Sequence, residues 1–252
     1  MHYTDQQATV FVFLNVRTPP FDDVRVRRAL NYAVDRRHVA DLYGAALARP
    51  TCQIVAPSTT GYRPYCPYTV DPDAGGSWRG PDLATAQSLV DASGTKGEDV
   101  QVWTFPDFAT EATAVTDALT QLGYHAAVHE ITDTTGYFES LERDPDVQAG
   151  MFGWFDSPLA VDMLSTLTCD FDPNPTNFCD PRLDAGIHQL ADIEPSDPGA
   201  AGDLAADLDR KITDEAPWVP LLTPQTVTIT SARVGNVQAA AGLVLLDQLW
   251  VR

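Results

Sequence analysis

Lysine is nearly absent from this chain: Lys96 and Lys211 are the only two, and arginine supplies the other basic side chains. Acidic residues outnumber basic ones 35 to 16, for a formal charge of −19 at neutral pH. That excess repels nucleic acid and anionic membrane and favours solubility, so no nucleic-acid partner is expected. No run of about 18 apolar residues occurs, so no segment reads as a membrane-spanning helix. The amino-terminal Met1-His2-Tyr3-Thr4-Asp5 lacks the charged region and apolar stretch of a secretory leader. If the protein is exported, the expectation is a signal upstream of residue 1, which would make the chain a fragment. Also missing are a Gly-x-Ser-x-Gly elbow, a phosphate loop and a His-Glu-x-x-His helix, so neither an enzyme nor a cofactor is expected. His125 and His129 are four apart but fall on a predicted strand, where a metal-binding pair is not expected.

What is present is enough to build a large core: 44% of the 252 residues are hydrophobic. The four cysteines form two local pairs, Cys52 with Cys66 and Cys169 with Cys179, each bracketing a segment rich in Pro, Asn, Thr and aromatics. Two disulfides stapling these loops are expected, each contributing roughly 3 kcal/mol in the chain-entropy picture, and they imply an oxidising compartment. Four separate buried thiols are the alternative. A zinc site is a poorer one, since no Cys-x-x-Cys spacing occurs. Asp170 and Asp172 lack the regular spacing and closing Glu of a calcium loop.

Residues 9–16 are β-branched and aromatic and predict a buried strand. Pro19 and Pro20 delay helix formation, and Asp22 or Asp23 then caps a helix carrying Ala29, Leu30, Ala33 and Val34 on one stripe. Asp35 caps a second helix closing at Gly44, and 45–80 reads as irregular. Asp82 caps a helix with Leu83, Ala86, Leu89 and Val90 on its face, stopping before Gly94. Strand 100–105, helix 110–122, Gly123 and strand 124–131 make a βαβ unit of a mostly parallel sheet. A helix over 137–143, the strand 149–154, helices from Pro181 and over 199–214, and extended segments at 218–222 and 227–230 complete the pattern. The fold class is α/β, a twisted mixed sheet flanked by helices.

The run from Pro19 to Arg36, Pro-Pro-Phe-Asp-Asp-Val-Arg-Val-Arg-Arg-Ala-Leu-Asn-Tyr-Ala-Val-Asp-Arg, preceded by Phe13-Leu14-Asn15, resembles a signature of a known family. The family is that of the extracytoplasmic solute-binding proteins feeding oligopeptide, dipeptide and nickel importers. Asp91-Ala92-Ser93-Gly94 and Gln121-Leu122-Gly123 are similar to two further family features. The resemblance implies that 1–252 is the carboxyl-terminal lobe of a two-lobed periplasmic-binding-protein-like fold. Its partners would be the chain's own N-terminal lobe, ABC-importer permease subunits and a peptide or other small solute, in an extracytoplasmic setting. Residues 225–252 would return towards the first lobe, leaving apolar surface around Leu243–Trp250 for it. A solute-sensing lobe on a regulatory module and a carboxylate-based hydrolase are the alternatives.

Ligands of open α/β sheets sit beyond strand carboxyl ends, here Thr104 and Phe105, and Trp154, Phe155, Asp156 and Ser157. The second group resembles the family's Gly-Trp-x-x-Asp-Tyr-Pro, in which the Trp walls a side-chain pocket and the Asp pairs with a peptide's ammonium. One residue fewer separates Trp154 from Asp156, and Ser157 replaces the Tyr, so Asp162 is a possible substitute. Asn177 and Phe178, in the second cysteine loop, loosely match a family loop that lines the cleft.

Overall fold

The computed structural model describes every residue except 145, 156, 241 and 242. Strand β1 (His2–Asp5) leads into β2 (Thr9–Leu14), every residue of which is buried. Helix α1 (Val24–Ala33) starts where the Asp23 carboxylate accepts the Arg25 N–H at 2.8 Å. Helix α2 (Arg36–Gly44) starts where Asp35 accepts from Arg37 and His38. A short strand, β3 (Ala48–Pro50), interrupts the stretch expected to be irregular. Helix α3 (Leu83–Ser93) is capped by Asp82 and closed by Gly94 at φ +77°. Its Leu83 is exposed, so the core stripe is carried by Ala86 and Val90.

Strand β4 (Asp99–Thr104), helix α4 (Ala109–Leu122) and strand β5 (His125–Glu130) form the βαβ unit, with β4 and β5 parallel. Helix α5 (Thr134–Arg143) leads to β6 (Ala149–Trp154), which lies parallel to β4 and antiparallel to β2. Helices α6 (Ala160–Leu164), α7 (Pro181–Ile193) and α8 (Pro198–Glu215) follow. The two carboxyl-terminal extended segments are one strand, β7 (Trp218–Thr228), pairing antiparallel with β1, β2 and β3. Proline rarely enters a paired strand because it lacks an N–H. Pro220 is accommodated opposite Phe11, where the β2–β7 register shifts.

Side-chain alternation along β2 divides the core. Val10, Val12 and Leu14 pack with the stripes of α1 to α4, including Leu30, Val90 and Leu119. Phe11 and Phe13 face Met163, Ile187, Leu208 and Trp218 on the other side. The arginines of the α1–α2 signature hold this frame from within. Arg36 is fully buried and donates to the carbonyls of Pro220 (2.7 Å) and Asn31 (2.8 Å) and to Asn31 Oδ1 (3.0 Å). Arg27 donates to the carbonyls of Phe21 and Glu215. The sequence favours pairing of these arginines with acidic neighbours; Arg25 does pair with Asp23, but Arg27 and Arg36 chiefly satisfy backbone carbonyls. Both expected disulfides, Cys52–Cys66 and Cys169–Cys179, are formed.

Candidate ligand cleft

Because β4, β5 and β6 are parallel, and β7 runs with β6, the carboxyl ends of all four lie at one edge of the sheet. That edge also holds His2, which pairs with Thr228, where the chain enters and leaves the sheet. A cavity of about 620 Å³ opens there, lined by Phe105, Asp107, Phe108, Phe138, Phe152, Gly153, Phe155 and Tyr43. Phe105 is pinned edge-on to Phe108, with ring centroids 5.1 Å apart, and lies against Tyr137. The Phe155 ring lies over Gly153, where a Cβ would come within 2.4 Å of it; only glycine leaves that ring in place. The exposed Asp107 carboxylate has no hydrogen bond or ion pair among the described residues.

Deeper on the Phe11 face is a second cavity, of about 170 Å³, between α5 and the Cys169–Cys179 loop. Phe11, Phe152, Trp154 and Trp218 form one side, Phe138 and Leu141 come from α5, and Phe171, Pro173 and Pro175 come from the loop. The rings order one another. Phe11 stacks on Trp218 at 3.5 Å, Phe152 on Trp154 at 6.2 Å, and Phe171 meets Trp154 edge-on at 5.9 Å. Phe138 and Phe152 line both cavities, so the two adjoin. A third, polar cavity of about 200 Å³, with Asn15, Glu142, Asp144 and Asn177 in its wall, shares Leu141, Pro173 and Pro175 with the second.

The residues expected at the site fall into distinct settings. Phe105 and Phe155 line the first cavity and Trp154 the second. Thr104 is fully buried beneath Phe105, its hydroxyl donating to the Phe105 carbonyl at 3.2 Å. Ser157 is buried and stitches the segment after β6 to Gln7 and Thr59 through its backbone. Asn177 donates to Asn15 Oδ1 at 3.2 Å beside the third cavity, and Phe178 is buried in the core. Asp162 accepts the Leu159 N–H at the head of α6, and Asp156 lies outside the described residues. Sequence reasoning missed Phe11, Phe138, Phe152, Phe171 and Trp218. Period-two alternation from Trp154 reaches Phe152, but the others meet only through long-range pairing that no local pattern announces.

The family described as bacterial extracellular solute-binding proteins, family 5, middle region, matches residues 1–173. A glutathione-binding protein, GsiB of Salmonella choleraesuis, is 26% identical over 235 residues, covering 88% of this chain and 43% of the relative. The structure of HbpA2 from Haemophilus parasuis superposes with a TM-score of 0.86 at 17% identity, covering 100% of this chain and 49% of that one. A dipeptide-binding protein of a Pseudoalteromonas species, solved with Met-Leu, gives a TM-score of 0.73 at 19% identity and covers 100% and 50%. These two structural likenesses establish a shared fold, and this chain spans about half the length of each protein compared. On the match over residues 1–173, the chain belongs to the bacterial extracellular solute-binding proteins of family 5.

Proposed function

We propose that residues 1–252 are the carboxyl-terminal lobe of a two-lobed solute-binding protein. It captures a peptide or similar small solute by closing against a first lobe, and presents it to the permease of an ABC importer. The observation that carries the reading is the pair of adjoining cavities at the carboxyl edge of the sheet, beside the strands through which the chain enters and leaves. Closure follows if the solute touches both lobes only in the closed state, since a ligand shifts an equilibrium by its differential affinity alone. The coverage of about half of each relative supports the half-protein assignment. So does the exposure of Leu246 (76%), Val251 (66%) and Trp250 (45%), apolar surface suited to a first lobe.

Phe105, Trp154 and Phe155 are the proposed ligand contacts, with Thr104, Ser157, Asn177 and Phe178 holding them from behind. Asp107, at the mouth of the first cavity, is the described carboxylate placed to meet a peptide's ammonium, an attraction that strengthens once closure excludes water. The role is non-enzymatic and the location extracytoplasmic, in keeping with the two disulfides.

The test is calorimetric titration of di- and tripeptides into the protein expressed with whatever its gene encodes on either side of residues 1–252, with mass analysis of the recovered ligand. Saturable binding of chemically unchanged peptide is expected, together with much weaker binding by residues 1–252 alone. Turnover of the ligand, or full affinity in residues 1–252 alone, overturns the reading.

A further inference from the structure

The two disulfides lie in different surroundings. Cys52 and Cys66 are 5% and 3% exposed, whereas Cys169 and Cys179 both lie at the surface. A disulfide is cleaved by attack of a thiolate on one of its sulfurs, so access decides which bond a reductant opens first. While the fold stays intact, the second bond is the one within reach.

The loop that this bond closes is held unevenly. Its later half has ties of its own. Asn174 Nδ2 donates to the carbonyls of Thr168 (3.2 Å) and Phe178 (3.0 Å), and the Val16 N–H donates to the Thr176 carbonyl at 2.8 Å. Its earlier half is nearly untied. From Asp170 to Pro173 the one backbone–backbone hydrogen bond among the described residues runs from the Phe171 N–H to the Thr168 carbonyl, at 3.3 Å. Phe171 itself is thinly packed. On one side it borders the inner cavity, where its ring meets Trp154 edge-on at 5.9 Å. On another it borders a separate cavity of about 250 Å³, walled by Val161, Ser165, Ile187 and His188. A side chain with voids on two sides forgoes the dispersion contacts that fix a core residue. The covalent anchor at Cys169, two residues away, therefore supplies much of what keeps the ring against Trp154.

We propose that the Cys169–Cys179 bond is a redox latch: a dithiol reductant opens it while Cys52–Cys66 stays closed, residues 170–173 come free, and Phe171 leaves Trp154, opening the inner cavity to solvent. In the first step a thiolate of the reductant attacks one Sγ, the S–S bond breaks, and the other Sγ leaves as a thiolate. The second thiol of the reductant then attacks its own sulfur in the mixed disulfide and expels the remaining cysteine. Two electrons and two protons reach the protein, which holds two thiols, and the reductant leaves as a cyclic disulfide. Reoxidation reverses the sequence and closes the wall. The latch stands without the solute-binding reading above; its consequence, weaker capture of solute in the reduced state, rests on that reading.

The test uses the protein with whatever its gene encodes on either side of residues 1–252, exposed to dithiothreitol and trapped at intervals with iodoacetamide for peptide mapping. Cys169 and Cys179 are expected to label faster than Cys52 and Cys66 by on the order of tenfold or more, because the buried pair must first open locally. In the selectively reduced protein, acrylamide quenching of tryptophan emission should rise while the thermal melt stays cooperative. Phe171→Ala, left oxidised, should show the raised quenching already, and reduction should add little to it. If that variant does not fold, Cys169→Ser with Cys179→Ser takes its place and should match the reduced parent. Equal labelling of the two pairs, unchanged quenching after selective reduction, or loss of the whole fold on opening this one bond overturns the latch. Peptide titration of the reduced protein reads the consequence separately. Several-fold weaker binding than in the oxidised protein supports it, and equal binding by the two forms overturns control of capture. Selective opening in a protein that binds no peptide in either form sinks the solute-binding role alone.

Discussion

Asp209 on α8 is buried, and every contact it makes donates to it. Gln53 Nε2 reaches one carboxylate oxygen, while the Ile54 N–H (3.1 Å), the Val55 N–H (3.4 Å) and the Thr213 hydroxyl (3.3 Å) reach the other. These bonds tie α8 to the start of the Cys52–Cys66 loop. Burial outweighs the four donors and pushes the carboxyl up to about 7, against about 3.9 in an unfolded chain. Between those two values the native state keeps a proton that the unfolded state releases. Stability therefore falls as pH rises from about 4 to about 7, by at most about 1.4 kcal/mol per pH unit, or roughly 4 kcal/mol in all. Below that window both states are protonated, and above it both are ionised, so the slope from this group vanishes.

Asp209→Asn removes the titration at nearly constant shape. The new carbonyl still accepts from Ile54 and Val55, but the new amide nitrogen meets Gln53 Nε2. Gln53 cannot turn away, because its Oε1 accepts the Tyr65 N–H at 2.6 Å. One lost hydrogen bond and two opposed donors cost about 1–3 kcal/mol. The variant should thus be less stable than the parent at pH 5, and the gap should close or reverse by pH 8, where the parent bears the buried charge. Urea unfolding followed by tryptophan emission at intervals from pH 4.5 to 8.5 measures this, and all other titrating groups cancel in the difference. A parent-minus-variant difference that stays constant between pH 5 and 8 refutes the reasoning.

Arg36→Lys should destabilise by about 2–4 kcal/mol in the same urea assay, since a single ammonium cannot replace a planar fork serving Pro220, Asn31 and Tyr68; a loss below about 0.5 kcal/mol contradicts the structural role. Replacing Cys169 and Cys179 together by serine should cost about 3 kcal/mol from loop entropy in the same urea assay; an unchanged stability contradicts the stapling role. In protein from its native host, all four cysteines should resist alkylation until reduced, by intact mass. Full labelling without reductant, under conditions that block oxidation, argues against an oxidising compartment.

Much of the frame is legible because its signals are local. Asp23, Asp35 and Asp82 cap helices as their spacing predicts, Gly94 and Gly123 take left-handed conformations at helix ends, and the 149–154 strand lies where its sequence places it. The last strand is different. Its two prolines argue against a paired strand, and only the register shift opposite Pro220 makes room for it. Residues 218–228 read alone do not reveal that shift: its extra residue, Leu221, is on this strand, but the shift exists only relative to β2, where Val10 pairs with Leu222 and the next residue, Phe11, with Pro220.

The candidate cleft is less legible for a related reason. Along β2, Val10, Val12 and Leu14 face helices announced by their own caps and stripes. Phe11, one step away, faces Trp218, some 200 residues later in sequence, and rings from α5 and the second disulfide loop. The sequence shows that β2 is apolar on both faces, which marks it as central, but not that one face borders a cavity. A filled core and a dry pocket draw on the same residue types. They differ only in whether the neighbouring elements close the last gap, which α5 and the loop from Cys169 to Cys179 do not. The family signature at 19–36 therefore identifies the chain through residues that build its frame. The aromatics that line the inner cavity, Phe11, Phe138, Phe152, Phe171 and Trp218, are scattered across β2, α5, β6, the disulfide loop and β7. Relatives sharing that frame are free to differ in ligand, so specificity has to be argued from the pocket wall and not from the signature.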